Sequence, residues 1–93
     1  MNNLGEDIVL EVLKKLFPSK TEYFNKSYYD IPIVAPPFYF GIIDLMYIYI
    51  SIEKKLGHKL TIEKNTDFFT IESIIQFVND KLEKLAYVHH KDK

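Results

Sequence analysis

Few residues of this chain are of the kinds that do covalent chemistry, and their spacing keeps them apart. His89 and His90 are adjacent, so their side chains diverge, and no third ligand stands close enough in sequence to complete a metal site. His58 follows Gly57 in what reads as a turn, where it can interact favourably with the end of the preceding helix. Asp44 is the only charge between Asp30 and Glu53. It falls in the first turn of a helix, where a carboxylate is stabilised by the helix dipole, and reads as a cap rather than a catalyst. Lys54-Lys55 reads as a solvated helix end. The chain has no cysteine, hence no disulfide framework, thiolate zinc site or cysteine nucleophile. No carboxylate pair, triad or glycine-rich phosphate loop stands out; Gly5, Gly41 and Gly57 are isolated and mark helix starts or stops. No enzyme and no metal centre is expected from this inventory.

The 93 residues make one domain with a modest core. They are 47% hydrophobic and 15% aromatic, with seven Tyr and seven Phe, which argues against disorder over the whole chain. Net charge is −1, from 12 basic and 13 acidic residues, and every basic residue is a lysine. That balance creates no field to attract nucleic acid, and without arginine bidentate phosphate or guanine recognition is disfavoured. From Ile31 to Ile52 only Asp44 is charged. Pro32, Pro36 and Pro37 interrupt that stretch, and the remainder is too short to span a bilayer, which takes about 20 apolar residues. The first residues lack the basic start and apolar run of a signal peptide, so a cytoplasmic protein is expected.

The elements that would position any site are helical. Asn3 can cap a first helix, with Glu6 reaching back, and Ile8, Val9, Val12, Leu13, Leu16 and Phe17 recur at helical spacing until Pro18. Residues 18–41 form a long connection whose aromatics (Tyr23, Phe24, Tyr28, Tyr29, Phe38, Phe40) are expected to pin it onto the helices. A second helix spans Ile42 to Leu56 and stops at Gly57. Residues 59–69 read as a loop with room for one helical turn. The last helix starts at Thr70 as cap, with Ile71, Ile74, Ile75, Val78, Leu82 and Leu85 as its stripe. Asp80 and Lys84 make a favourable pair on it. A polar tail closes the chain.

The second helix carries two apolar stripes. Leu45, Ile48, Tyr49, Ile52 and Leu56 form one; Ile43, Met46, Tyr47 and Ile50 form the other, ending at Lys54. A helix on a small domain buries one stripe and wets the other. The second stripe is therefore either a docking surface, rich in the Met and Tyr such surfaces favour, or core covered by the 18–41 connection.

The segment Phe40-Gly41-Ile42-Ile43-Asp44-Leu45-Met46 resembles the attachment motif of acyl carrier proteins, with Ile42 in place of the serine that holds phosphopantetheine. From Gly41 to about Leu82 the likeness runs without a gap. Ser51-Ile52-Glu53-Lys54-Lys55-Leu56-Gly57, Leu60-Thr61, Phe68-Phe69-Thr70-Ile71-Glu72 and Ile75-Gln76-Phe77-Val78 are similar to the family's later segments. The N-terminal helix fits in length and pattern alone. The chain departs from the family in charge too, with Tyr47 and Lys54 where carriers are acidic. Asp44-Leu45-Met46-Tyr47-Ile48-Tyr49 and Ile52-Glu53-Lys54-Lys55 are similar to the serine-less acyl carrier-related proteins of bacterial peptide maturation, encoded beside radical enzymes and bacteriocin-like precursors.

The resemblance implies an all-α, four-helix acyl-carrier-like bundle with a short third helix and a long first loop. Residues 1–88 would form the domain and 89–93 a polar tail. It implies no cofactor, since an aliphatic Ile42 cannot be phosphopantetheinylated. The expected work is noncovalent: binding a peptide-modifying enzyme, a precursor peptide, or both, through Phe38, Tyr39, Phe40, Ile43, Met46, Tyr47 and Ile50. Neither nucleic acid nor membrane is an expected partner. Two alternatives stand beside this reading. One is a bacteriocin immunity-type helical bundle. The other is a functional carrier with a displaced serine, for which the nearest hydroxyls are Ser27, far upstream, and Ser51, well inside the second helix.

Overall fold

A computed structural model of the chain describes the backbone of residues 3–60 and 68–91 and the side chains as far as Leu85. Three α-helices form the frame: α1 (Leu4–Leu16), α2 (Ile42–Leu56) and α3 (Ile71–Lys91). Two short 3-10 segments, Pro18–Tyr23 and Lys26–Tyr28, lie between α1 and α2. The chain is thus all-α over the described residues. The short third helix was expected within residues 59–69, of which 61–67 lie outside the described residues.

Each helix begins where a side chain can satisfy a free backbone donor. Asn3 Oδ1 accepts from the Glu6 N–H at 2.9 Å. Glu6 does not return the favour, because its carboxylate instead accepts from the Tyr29 hydroxyl. At α2, Asp44 Oδ2 accepts from the Gly41 N–H at 2.8 Å. At α3 the exchange is reciprocal: Thr70 Oγ1 accepts from the Ser73 N–H at 3.0 Å, and Ser73 Oγ accepts from the Thr70 N–H at 2.9 Å. α2 ends on Gly57, whose φ of 72° is left-handed and costs glycine nothing. The backbone of α3 continues through Lys91. Residues 88–91 are therefore its last turn, so the helix runs into the stretch read as a polar tail; no glycine or proline stands there to stop it.

α1 packs against both α2 and α3. Its Val9, Val12 and Leu13 meet Ile48 and Ile52 of α2 and Ile71, Ile74, Ile75, Phe77 and Val78 of α3 in one core. The 18–41 connection supplies Phe24, Ile33, Phe38 and Phe40 to it. Phe38 is the hub: its ring centroid lies 6.0 Å from Phe24, 5.6 Å from Phe40, 6.3 Å from Tyr28 and 6.4 Å from Tyr23. Backbone bonds fix the connection to the start of α3, with the Ile33 N–H donating to Phe69 O at 2.9 Å and the Glu72 N–H to Tyr29 O at 3.0 Å. The loop that lacks long helices is held by its aromatics and by these few long-range bonds.

Candidate functional site

The two stripes of α2 have separate fates. Ile48 and Ile52 are fully buried, and Leu45, Tyr49 and Leu56 pack half-buried beside them. The Tyr49 hydroxyl donates to Leu60 O, and Glu53 Oε2 accepts from the Leu60 N–H at 2.8 Å, so the inner face also anchors the chain leaving the helix. Burial, then the Glu53 carboxylate, pushes the Tyr49 phenol above its ordinary range.

The outer stripe stays in solvent. Ile43, Met46 and Tyr47 are each more than half exposed, and Ile50 is 43% exposed. The 18–41 connection does not cover them; its Tyr23, Phe24, Tyr28 and Phe40 gather around Phe38 instead. Ile42 extends the row at its N-terminal end and is 75% exposed. A contiguous aliphatic and aromatic row on one helix face is what a small monomer ordinarily buries.

The segment before the helix divides residue by residue. Phe38 and Phe40 are buried, at 0% and 3% exposure, and belong to the core; as members of a contact surface they are corrected. Tyr39 between them is 68% exposed. Local geometry explains the alternation. The N–H groups of Phe38 and Tyr39 both donate to Ala35 O at 3.0 Å, and the Phe40 N–H returns to Ile33 O at 2.9 Å, closing a tight turn. Tyr39 takes a φ of 54° in that turn, a left-handed conformation uncommon for a bulky residue. Its ring lies largely in solvent.

The outer face of α2 therefore holds Ile42, Ile43, Met46, Tyr47 and Ile50, and Tyr39 is exposed in the turn that precedes the helix. Ile42 was not among the expected contact residues, although its i−4 spacing from Met46 places it on the same face. Val34, 58% exposed, gave no periodic signal. Ser27 is exposed in the second 3-10 segment, and Ser51 is half-buried about two and a half turns from Ile42 along α2. His58 is exposed after Gly57. His89 and His90 lie on the last turn of α3, with side chains outside the described set. Among the described residues no helix is long and apolar enough to cross a membrane.

A second feature lies between α1 and α3. Asn3, Glu6, Lys26, Tyr29, Glu72, Ile75, Gln76 and Asn79 line a polar cleft of about 330 Å³ between the starts of α1 and α3. Burial, and then the bond to Glu6, raises the Tyr29 phenol well above its ordinary value. Its polar groups bond chiefly to one another (Tyr29 to Glu6, Asn79 to Asn3 and Gly5), and the cleft is the seam that joins the 18–41 connection to the two helices.

Set against models of known protein families, curated proteins and solved structures, the chain finds no match in any of the three.

Proposed function

We propose that the protein is a noncovalent binding module of acyl-carrier-like build, acting in bacterial peptide maturation, and that the outer face of α2 receives its partner. The observation that carries this reading is the exposed row Ile42, Ile43, Met46, Tyr47 and Ile50. In a carrier the start of the second long helix presents a serine and its prosthetic arm. Here the corresponding position presents an aliphatic side chain to solvent, continuous with four more apolar residues. Such a surface can gain free energy only by being covered. The partner is a peptide-modifying enzyme, with or without its precursor peptide.

Two measurements test the reading. Incubation with a phosphopantetheinyl transferase and coenzyme A should leave the intact mass unchanged; a mass gain on any hydroxyl would reinstate a carrier. The double variant Met46→Ser/Tyr47→Ser should lose capture of a maturation enzyme encoded beside it while keeping its helical circular dichroism. Undiminished capture would remove the face from consideration.

A further inference from the structure

The C-terminal end of α2 meets α1 in a groove distinct from the outer face but adjoining it. Val12 and Leu16 of α1 and Ser51 of α2 form its floor, and Lys15, Lys54 and Lys55 stand around it. Its volume is about 330 Å³, at the small end of the range for ligand pockets. Val12 is buried and Leu16 half-buried, so the floor is a preformed part of the core surface. The anionic side chain beside it is Glu11, which pairs with Lys55. Three ammonium groups against one carboxylate leave the groove positive. Part of that charge answers the carbonyl ends of α1 and α2, whose last turns hold Lys14, Lys15, Lys54 and Lys55. The remainder faces solvent.

Tyr47, Ser51 and Lys54 are spaced i, i+4 and i+7 on α2, so the apolar row runs into this groove along one side of the helix. We infer that the partner segment that covers α2 is an amphipathic polypeptide with acidic residues at the end reaching the α1–α2 groove. Its aliphatic side chains meet Ile43, Met46, Tyr47 and Ile50. Its carboxylates meet Lys15 and Lys54, and an apolar side chain near them enters the space above Val12 and Leu16. The inference rests on the docking reading above and adds the sign of the partner's charge. A small anionic amphiphile would satisfy the groove but leave the apolar row bare, so the polypeptide is favoured.

The test uses the full chain and three fluorescein-labelled amphipathic peptides of about four helical turns, sharing one aliphatic face. One end of each carries glutamates, glutamines or lysines. The glutamate peptide should bind on the order of tenfold tighter than the glutamine peptide, with the advantage shrinking as salt rises. Lys15→Glu/Lys54→Glu should transfer the preference to the lysine peptide. Lys15→Gln/Lys54→Gln should abolish preference, and serves if the charge reversal fails to fold. Met46→Ser/Tyr47→Ser should weaken all three alike. Equal binding of the glutamate and glutamine peptides, or a preference indifferent to the lysine variants, overturns the inference while the docking reading stands on the serine pair. Peptide binding indifferent to the serine pair overturns the docking reading, and the inference with it. Absence of peptide binding overturns the inference, and saturable dodecanoate binding that needs Lys15 and Lys54 would then assign the groove to a small amphiphile.

Discussion

The Gly5 N–H donates to Oδ1 of Asn79 at 2.9 Å, joining the first turn of α1 to the middle of α3. The donor is one of the four amides that a helix start leaves without an internal partner. The bond needs glycine on one side, because a Cβ at position 5 would lie 2.1 Å from that same Oδ1 and 2.6 Å from Cγ. Asn79 also donates to Asn3 Oδ1 at 3.0 Å, so one amide side chain holds both the cap and the turn after it.

Gly5→Ala should therefore destabilise the protein, although alanine is favoured over glycine in a helix by up to about 1 kcal/mol. Displacing Asn79 costs its bonds and the local packing, for a net loss of about 1–2 kcal/mol. Asn79→Ala alone should cost about 1 kcal/mol. The double variant should lose less than the two losses added, since both remove one contact. Urea midpoints decide it: a Gly5→Ala protein as stable as the parent would show that the helices can part without cost.

Phe38 and Tyr39 are neighbours with opposite roles, and Phe38→Ala measures the first. A fully buried ring at the centre of four aromatic contacts should cost about 3–5 kcal/mol to remove. Against the 5–15 kcal/mol of an ordinary domain that is a large fraction. Loss of the cooperative thermal transition is the expected result. A loss below about 1 kcal/mol would return Phe38 to the surface assigned to it by sequence.

That misassignment shows what local pattern can and cannot carry. The bounds of α2 were legible because both ends have local signals, a carboxylate in the first turn and Gly57 after the last. The Asn3 and Thr70 caps were legible for the same reason. Glu6 was read as a partner for the backbone near Asn3, but Tyr29, distant in sequence, takes its carboxylate. The aromatics of 18–41 were expected to pin the connection, and they do. Which of them face inward depends on the Ala35 turn and the bond from Ile33 to Phe69, and neither has a periodic signature. The groove was hidden for a similar reason. Lys15 and Lys54 belong to different helices; Lys54 read as part of a solvated helix end, Lys15 drew no reading, and packing brings them to one groove.

Tyr29 gives the fold a pH dependence. Burial first, and then the Glu6 carboxylate that accepts its hydrogen bond, holds the phenol above its usual value of 10.0. The folded state thus retains a proton that the unfolded chain releases. Its contribution is complete below about pH 10 and is lost as pH rises through the folded phenol's own range. Tyr49 is shifted in the same direction. Urea midpoints of the parent should fall steeply above pH 10. Tyr29→Phe should start about 1 kcal/mol lower at neutral pH, from the lost hydrogen bond, and then fall less steeply. Parallel curves for the two proteins would show that the phenol does not set the slope.

Tyr39 pays for its position with backbone strain. A φ of 54° costs an L-residue about 1–2 kcal/mol, and asparagine tolerates that region better than tyrosine. At 68% exposure the ring gives little burial in return. Tyr39→Asn should accordingly keep the fold and raise its stability by about 0.5–1 kcal/mol. The same change removes the exposed aromatic of the turn that leads into α2, which the sequence assigns to the contact surface. Partner capture should weaken as the melting temperature rises, which is the opposite of what loss of a packing residue would do. A Tyr39→Asn protein that melts lower than the parent would mean that the ring packs on its own chain, and would remove Tyr39 from the docking face.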